Sequence, residues 1–324
     1  MKNEDYAYAV ARIRANEVHL LSNRDMESLI SADSLNSAIS VLVSKNWTQR
    51  SKEDFGVAEI ISNQYKKLWD LLTDSVPDKK ELEIFTLQND FQNIKTALKC
   101  MVTETQCDEY FVYPTSLDLE LLKKCVLNRD FSKLPSDFST ASKEAYDGLN
   151  LTSSGQTAEM ILDKAALALM SLKAKNSSSR LVREIFDFFC SVADIKIAFR
   201  CAKTKKSRSF ALNALSNCDG IDCKVLSEKA SQGENELISY LSASGYKTAA
   251  EPISSDSGKF EKWIDDQIIE KCKKAKTEFF GFDPICAYYF AKSNEIKTVR
   301  LILYAKESGL DSDIIRERVR TLYV

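Results

Sequence analysis

The chain has 324 residues, and its 45 basic and 47 acidic side chains nearly cancel, so no global field would draw it to nucleic acid or an anionic membrane. Only 9 Gly and 5 Pro occur, far below the average usage of about 7% and 5%, which favours long helices. The length suggests two ordinary domains or three small ones.

The nine cysteines contain no Cys-x-x-Cys pair, and a disulfide framework is unusual in so long a chain. We therefore expect reduced thiols in the cytosol. No segment approaches the roughly 18 uninterrupted apolar residues of a spanning helix. The opening segment MKNEDYAYAVARIRA lacks the apolar centre of a secretory signal, so the expectation is a soluble protein with no direct membrane span.

In chain order, the same three predicted elements occur three times. Short amphipathic pieces come first, at 25–47, 117–134 and 223–246. A polar pair four residues apart follows, and then an apolar helical stripe that contains an Ile-Lys dipeptide. The polar pairs are Glu59/Asn63, Glu159/Asp163 and Glu261/Asp265, and the dipeptides are Ile94-Lys95, Ile195-Lys196 and Ile296-Lys297, spaced 101 residues apart.

The stripe around each isoleucine has the period of one helix face. In the first copy it comprises Ile84, Leu87, Phe91, Ile94, Leu98 and Met101; the third copy departs from it only at Ser293 and Arg300. The pattern predicts an all-α protein of three similar subdomains of about four helices, with boundaries at 1–108, 109–210 and 211–324. We expect helical hairpins over 57–102, 157–203 and 260–306, with the three isoleucines buried at equivalent positions.

The polar pairs raise the question of catalysis, because two carboxylates four residues apart share a helix face and could bind a metal or divide acid and base roles. The first copy has Asn63 in place of an acid, and repetition in three copies is typical of a scaffold. We therefore predict that Lys95, Lys196 and Lys297 each contact the polar pair of their own hairpin. An enzyme using Glu159 and Asp163, or Glu261 and Asp265, is the alternative.

Other chemical candidates are weaker. His19 is the only histidine, and we interpret it as a surface or packing residue. The segment 254–261 contains Ser-Gly-Lys without the glycine spacing of a phosphate loop, so we expect a loop that ends in a helix start. Cys218 and Cys223 resemble a metal knuckle only loosely, and we predict a turn. No catalytic, cofactor-binding or metal site is predicted, and no cofactor.

Two basic runs, at 203–208 and 271–276, could contact phosphates or an acidic protein surface. The simpler interpretation is a solvated helix end, because basic side chains there interact favourably with the helix dipole. Neither run interleaves the aromatic residues of single-strand binders.

The ends of the chain resemble the C-type subunit of V-type and archaeal-type rotary ATPases, known in eukaryotes as the d-type subunit. The resemblance is carried by Pro284, AYYFAK at 287–292, NEIK at 294–297, AKESGL at 305–310 and the terminal IRERVRTLYV, together with YAYAVARIRA at 6–15. It covers the whole chain and is sharpest at these ends and around the three Ile-Lys pairs.

This resemblance implies a funnel of three helical subdomains around a pseudo-threefold axis. It also implies a non-catalytic rotor adaptor that transmits torque between ATP hydrolysis or synthesis and proton or sodium transport. The implied partners are central-stalk subunits of the D and F type in the funnel and the c/K/L-type proteolipid ring at its base, on the cytoplasmic face of the membrane, without nucleic acid. The alternative is an all-helical repeat scaffold that binds other proteins.

Overall fold

The computed structural model describes residues 3–49, 56–152 and 155–324. Within these ranges the regular structure is helical and no strand occurs, which confirms the all-α prediction. None of the helices in them combines the length and the apolar character that crossing a membrane requires.

The described ranges contain sixteen α-helices joined by short 3₁₀ turns and loops. They are α1 (Ala7–Glu17), α2 (Asn23–Ile30), α3 (Leu35–Ser44), α4 (Val57–Ser75), α5 (Glu83–Thr103), α6 (Leu119–Asn128), α7 (Ser136–Thr152), α8 (Gly155–Asn176), α9 (Arg180–Lys203), α10 (Arg208–Ala214), α11 (Cys223–Gln232), α12 (Glu234–Ala243), α13 (Ala250–Ser255), α14 (Ser257–Lys273), α15 (Asp283–Glu307) and α16 (Ser312–Arg318).

Polar caps fix the start of three short helices. Ser22 and Asp25 form a capping box at the start of α2. Asp118 accepts hydrogen bonds from two backbone N–H groups at the start of α6, and Asp222 does the same for α11. Such caps satisfy N–H groups that have no partner inside the helix. Each of the three helices therefore begins at a defined residue after an irregular segment.

One compact unit consists of Met1–Lys79, Ser178–Ile185 and Tyr246–Val324. Its central element is the 25-residue helix α15, against which α1, α3, α4 and α14 pack. The aromatic rings of Tyr6 and Phe282 meet edge to face with centroids 5.9 Å apart. Most of α15 is buried because it has neighbours on several sides.

The second compact unit consists of Lys80–Ser177 and Phe186–Gly245. Here α8 packs against both α5 and α7, α6 packs against α5, and α11 packs against α10 and α12. Phe91 and Phe138 lie with ring centroids 5.4 Å apart in its core.

The predicted burial of the three repeated isoleucines is confirmed. Ile94, Ile195 and Ile296 lie on α5, α9 and α15, and each has no exposed surface. The common stride of 101 residues therefore places the same side chain at the same depth in three long helices.

The predicted hairpins are confirmed only in part. Segment 260–306 forms a hairpin in which α14 packs against α15. In segment 157–203, the Cys190 thiol of α9 lies 3.5 Å from the Leu167 carbonyl oxygen of α8. For segment 57–102 both helices form, but α4 belongs to the first unit and packs on α15, whereas α5 belongs to the second and packs on α8. The pairing of α4 with α5 stays a prediction. An apolar stripe fixes which face is buried and leaves open which helix covers it.

Candidate functional site

A buried polar residue precedes the isoleucine in each of the three long helices. We call Asn93, Asp194 and Glu295 the anchor residues; they share the 101-residue stride and are at most 2% exposed. A polar side chain at this depth is costly unless hydrogen bonds satisfy it. The partners of the anchor residues therefore indicate what they do.

Asn93 holds the extended segment that leads into α6. Its side chain donates to the Val112 carbonyl oxygen at 2.9 Å and accepts from the Val112 N–H at 2.7 Å. Asp90, three residues earlier on α5, accepts from the N–H and the hydroxyl of Ser116 at 2.8 and 2.7 Å. These bonds fix segment 112–117 on α5 immediately before the Asp118 cap.

Asp194 holds the segment that leads into α11. Its two carboxyl oxygens accept from the N–H and the hydroxyl of Ser216, each at 2.8 Å. The thiols of Cys218 and Cys223 each lie 3.4 Å from Oδ2 of the same carboxyl group. Ser191, three residues before Asp194, has its hydroxyl 3.5 Å from the Cys218 sulfur. Side chains of α9 thus fix segment 216–223.

Gly220 lies so close to α9 that no side chain fits there. A Cβ atom at this position would lie 2.1 Å from the Ser191 hydroxyl oxygen and 2.9 Å from a carboxylate oxygen of Asp187. We expect Gly220→Ala to push segment 216–223 off α9 and to lower the free energy of unfolding by about 1–3 kcal/mol, as overpacking typically does.

Chemical denaturation followed by circular dichroism measures this effect. Gly155→Ala is the matched control, because a Cβ atom at Gly155 would meet nothing within 4 Å. Equal denaturation midpoints for the two variants would show that the close approach at Gly220 is not needed.

Glu295 holds the start of the chain. Its carboxylate accepts from the Leu21 N–H at 2.5 Å and from the Trp47 indole N–H at 2.6 Å. Lys292, three residues earlier on α15, pairs with the same carboxylate and lies 5.2 Å from the centre of a Trp47 ring. Leu21 directly precedes the Ser22 cap of α2. Glu295 therefore fixes the segment that leads into α2, just as Asn93 and Asp194 fix the segments that lead into α6 and α11.

Together the anchor residues make a cyclic set of contacts. Asn93 of the first predicted repeat holds Val112 of the second, and Asp194 of the second holds Ser216 of the third. Glu295, in the third repeat, returns to Leu21 in the first. All three bonds join an anchor side chain to main chain near the beginning of another repeat. The last contact connects the end of the chain to its beginning.

The predicted contact of each lysine with its own polar pair is confirmed in the third repeat. There the Lys297 ammonium lies 2.7 Å from Asp265. Asp265 also accepts from Arg320 at 2.6 Å, while the neighbouring Asp266 accepts from the Thr321 N–H at 2.6 Å. The carboxyl-terminal segment is therefore fixed on α14 by the acidic residues of the third pair and its neighbour.

In the first repeat the same prediction is wrong. Lys95 pairs with Asp163, and Lys99 lies 2.5 Å from Glu159. Both carboxylates belong to the polar pair of the second repeat, because α5 packs on α8. For Lys196 the predicted contact stays a prediction.

The carboxylates of the second pair are occupied by lysines at the surface, an arrangement that serves helix packing. Among the described residues, no group of three or more His, Cys, Asp or Glu side chains is placed to hold a metal ion. The predicted turn between Cys218 and Cys223 is confirmed at Asp219 and Gly220. His19 is exposed at the end of α1, beside a cavity of about 160 Å³ that Trp47 and Lys292 also line.

The segment at 254–261 is helical up to Ser255, and α14 begins at Ser257, so the predicted loop is reduced to Asp256 while the predicted helix start is confirmed. The two basic runs lie at helix ends, as the simpler interpretation expected. Lys203 ends α9 and Lys273 ends α14, and Lys273 pairs with Glu270 at 2.6 Å. Contact of either run with phosphates or an acidic protein surface stays a prediction.

The anchor residues were not predicted from the sequence. The signal was present, because the residue before each repeated isoleucine is polar at the same stride. Its type changes from Asn to Asp to Glu, and each side chain accepts a backbone N–H bond through a carbonyl or carboxylate oxygen. Shared hydrogen-bonding capacity is thus what the three copies have in common.

Comparison with known proteins places this geometry in context. Residues 9–318 match the model of the family described as ATP synthase (C/AC39) subunit. The chain is 23% identical over 318 residues to the C-type subunit of the V-type sodium ATPase of Enterococcus hirae, covering 96% of this chain and 97% of that protein. It is also 23% identical over 351 residues to the C-type subunit of the A-type ATP synthase of Methanocaldococcus jannaschii, covering 98% and 86%.

Proposed function

Because the chain belongs to the ATP synthase (C/AC39) subunit family, we propose that it is the central-rotor adaptor of a V/A-type ATPase. In this role it joins the central stalk to the membrane rotor ring and transmits torque between ATP hydrolysis or synthesis and the transport of protons or sodium ions. Family membership itself confirms the coarser prediction, a non-catalytic subunit of a rotary ATPase.

The proposed architecture is a funnel of three repeats, 1–108, 109–210 and 211–324, around a pseudo-threefold axis. The observation that supports it most is the cyclic set of anchor contacts. An open row of three repeats would need only two such contacts between neighbours, whereas the third contact, from Glu295 to the Leu21 N–H, joins the last repeat to the first. A closed ring of three repeats accounts for all three anchor contacts.

Torque transmission requires an element that does not yield when twisted. Close-packed interiors have low compressibility and transmit strain, and the three long helices bury Ile94, Ile195 and Ile296 completely. The anchor residues add directional bonds that fix the irregular segments entering α2, α6 and α11. Segments of this kind would otherwise be the most deformable parts of the chain.

The proposed partners are central-stalk subunits of the D and F type inside the funnel and the c/K/L-type proteolipid ring at its base. The proposed location is peripheral, on the cytoplasmic face of the membrane. Two relatives are named as the C-type subunits of a V-type sodium ATPase and of an A-type ATP synthase, which supports a place in such a complex.

Affinity purification tests the proposal. The full chain, tagged in its own cells, is captured from detergent-solubilised membranes, and bound proteins are identified by mass spectrometry. We expect ring and stalk subunits to co-purify. In membranes that lack the chain, we expect ATP-driven ion transport to disappear, because the head and the ring are no longer mechanically joined.

Recovery of neither ring nor stalk subunits would contradict the adaptor role and favour the alternative, an all-helical scaffold for other proteins. Ion transport that persists at its normal coupling ratio without the chain would contradict torque transmission through it.

A further inference from the structure

The cluster around Asp194 contains two thiols whose arrangement serves more than packing. The Cys218 and Cys223 sulfurs each lie 3.4 Å from the same oxygen of Asp194, so the two thiols meet at one atom. They are separated by five positions across the turn at Asp219 and Gly220. This proximity is set by the anchor residue, because both sulfurs converge on its carboxyl group.

Cys218 and Cys223 are buried but not completely, as are Cys100 and Cys201. Cys218 and Cys223 keep 7% and 6% exposure, whereas Cys190, Cys272 and Cys286 have none. What distinguishes Cys218 and Cys223 is that both sulfurs contact one buried carboxyl group.

The two sulfurs are also chemically unequal. Hydrogen bonding with the Cys223 thiol and then with the Ser191 hydroxyl holds the pKa of Cys218 below its usual value. The same bond and burial raise the pKa of Cys223. Because the thiolate is the nucleophile, Cys218 is the sulfur that reacts first.

We propose that Cys218 and Cys223 form a peroxide-sensitive dithiol, a modification site that is converted to a disulfide by hydrogen peroxide. The Cys218 sulfur attacks one peroxide oxygen, the O–O bond breaks, and a sulfenic acid and one water form. The Cys223 sulfur then attacks the sulfenic sulfur, the S–S bond forms, and a second water leaves. In sum, two thiols are oxidised and one peroxide is reduced to two waters.

Oxidation changes the anchor contact directly. When the S–S bond forms, both thiols lose their hydrogens and neither sulfur can donate to Asp194 any longer. Of the donors described for this carboxyl group, only the N–H and hydroxyl of Ser216 remain. A fully buried carboxyl group with fewer donors holds its partners less well. The dithiol therefore couples the redox state of the surroundings to the contact between α9 and the segment entering α11.

Peptide mapping tests the proposal on the reduced full chain. After peroxide treatment and alkylation, trypsin cleavage after Arg208 and Lys224 places both cysteines in one peptide, 209–224. We expect this peptide to become lighter by two hydrogen atoms and to resist alkylation at peroxide doses that leave the other cysteines alkylated. A peptide that is still alkylated at both cysteines, or one linked to another cysteine, overturns the proposal.

Two variants show which sulfur reacts first with peroxide. In each variant, a cyclic dione traps the sulfenic acid that forms on the remaining cysteine of the pair. We expect stronger trapping at Cys218 in Cys223→Ser than at Cys223 in Cys218→Ser. Equal trapping overturns the proposed order of attack. Hydrogen exchange of the unsubstituted chain supplies the readout of the anchor contact. The Ser216 amide is expected to exchange faster after oxidation, and an unchanged rate overturns the coupling to Asp194.

Discussion

Replacing Glu295 with Gln is expected to lower the free energy of unfolding by about 3–5 kcal/mol, the usual cost of breaking a buried ion pair on one side. The substitution keeps the volume but turns one acceptor oxygen into an NH₂ donor. The Leu21 N–H or the Trp47 indole N–H then faces another donor. Lys292 in addition loses the carboxylate with which it pairs.

Urea denaturation followed by tryptophan fluorescence measures this change selectively, because all three tryptophans of the chain lie in the same compact unit as Glu295. Asp70→Asn is the matched control in that unit. Its partner Lys66 is 72% exposed and Asp70 itself 53%, and pairs of this kind contribute at most about 1 kcal/mol. Similar midpoints for the two variants would mean that Glu295 does not anchor the start of the chain.

Truncating Ile195 to Ala is expected to cost about 2–5 kcal/mol, since the change removes fully buried methyl and methylene groups and leaves a cavity. In the reassembled complex we expect this loss of packing to weaken ion pumping driven by ATP hydrolysis. The reason is that, in the proposed role, the packed fold itself carries the torque.

Glu159→Gln provides the contrast. Glu159 is 43% exposed and pairs with Lys99, which is 59% exposed, so the expected cost is at most about 1 kcal/mol and pumping should persist. Leu172→Ala, at a residue 55% exposed on α8, controls for the truncation itself. Uncoupling by Glu159→Gln with normal coupling in Ile195→Ala would reverse the proposed mechanism and favour a polar working site.

For the polar pairs, the local spacing of residues predicted the shared helix face but not the helix that packs against it. The spacing of four residues correctly placed Glu159 and Asp163 on one face of α8, and the expectation of lysine partners was correct in kind. The identity of the partners was wrong for Lys95, because α5 packs on α8 in the second unit. Helix-face periodicity is a property of a few turns of chain, whereas the choice of a neighbour depends on the whole core.

The sequence by itself determined the all-helical class, the burial of Ile94, Ile195 and Ile296, and the family, because each of these follows from residue type and spacing along the chain. Only the tertiary structure decided that Asn93, Asp194 and Glu295 are anchor residues and that the last of them holds the Leu21 N–H. A polar residue beside an apolar stripe can face solvent or the interior. Which of the two occurs depends on whether a distant main-chain segment arrives there to satisfy its hydrogen bonds.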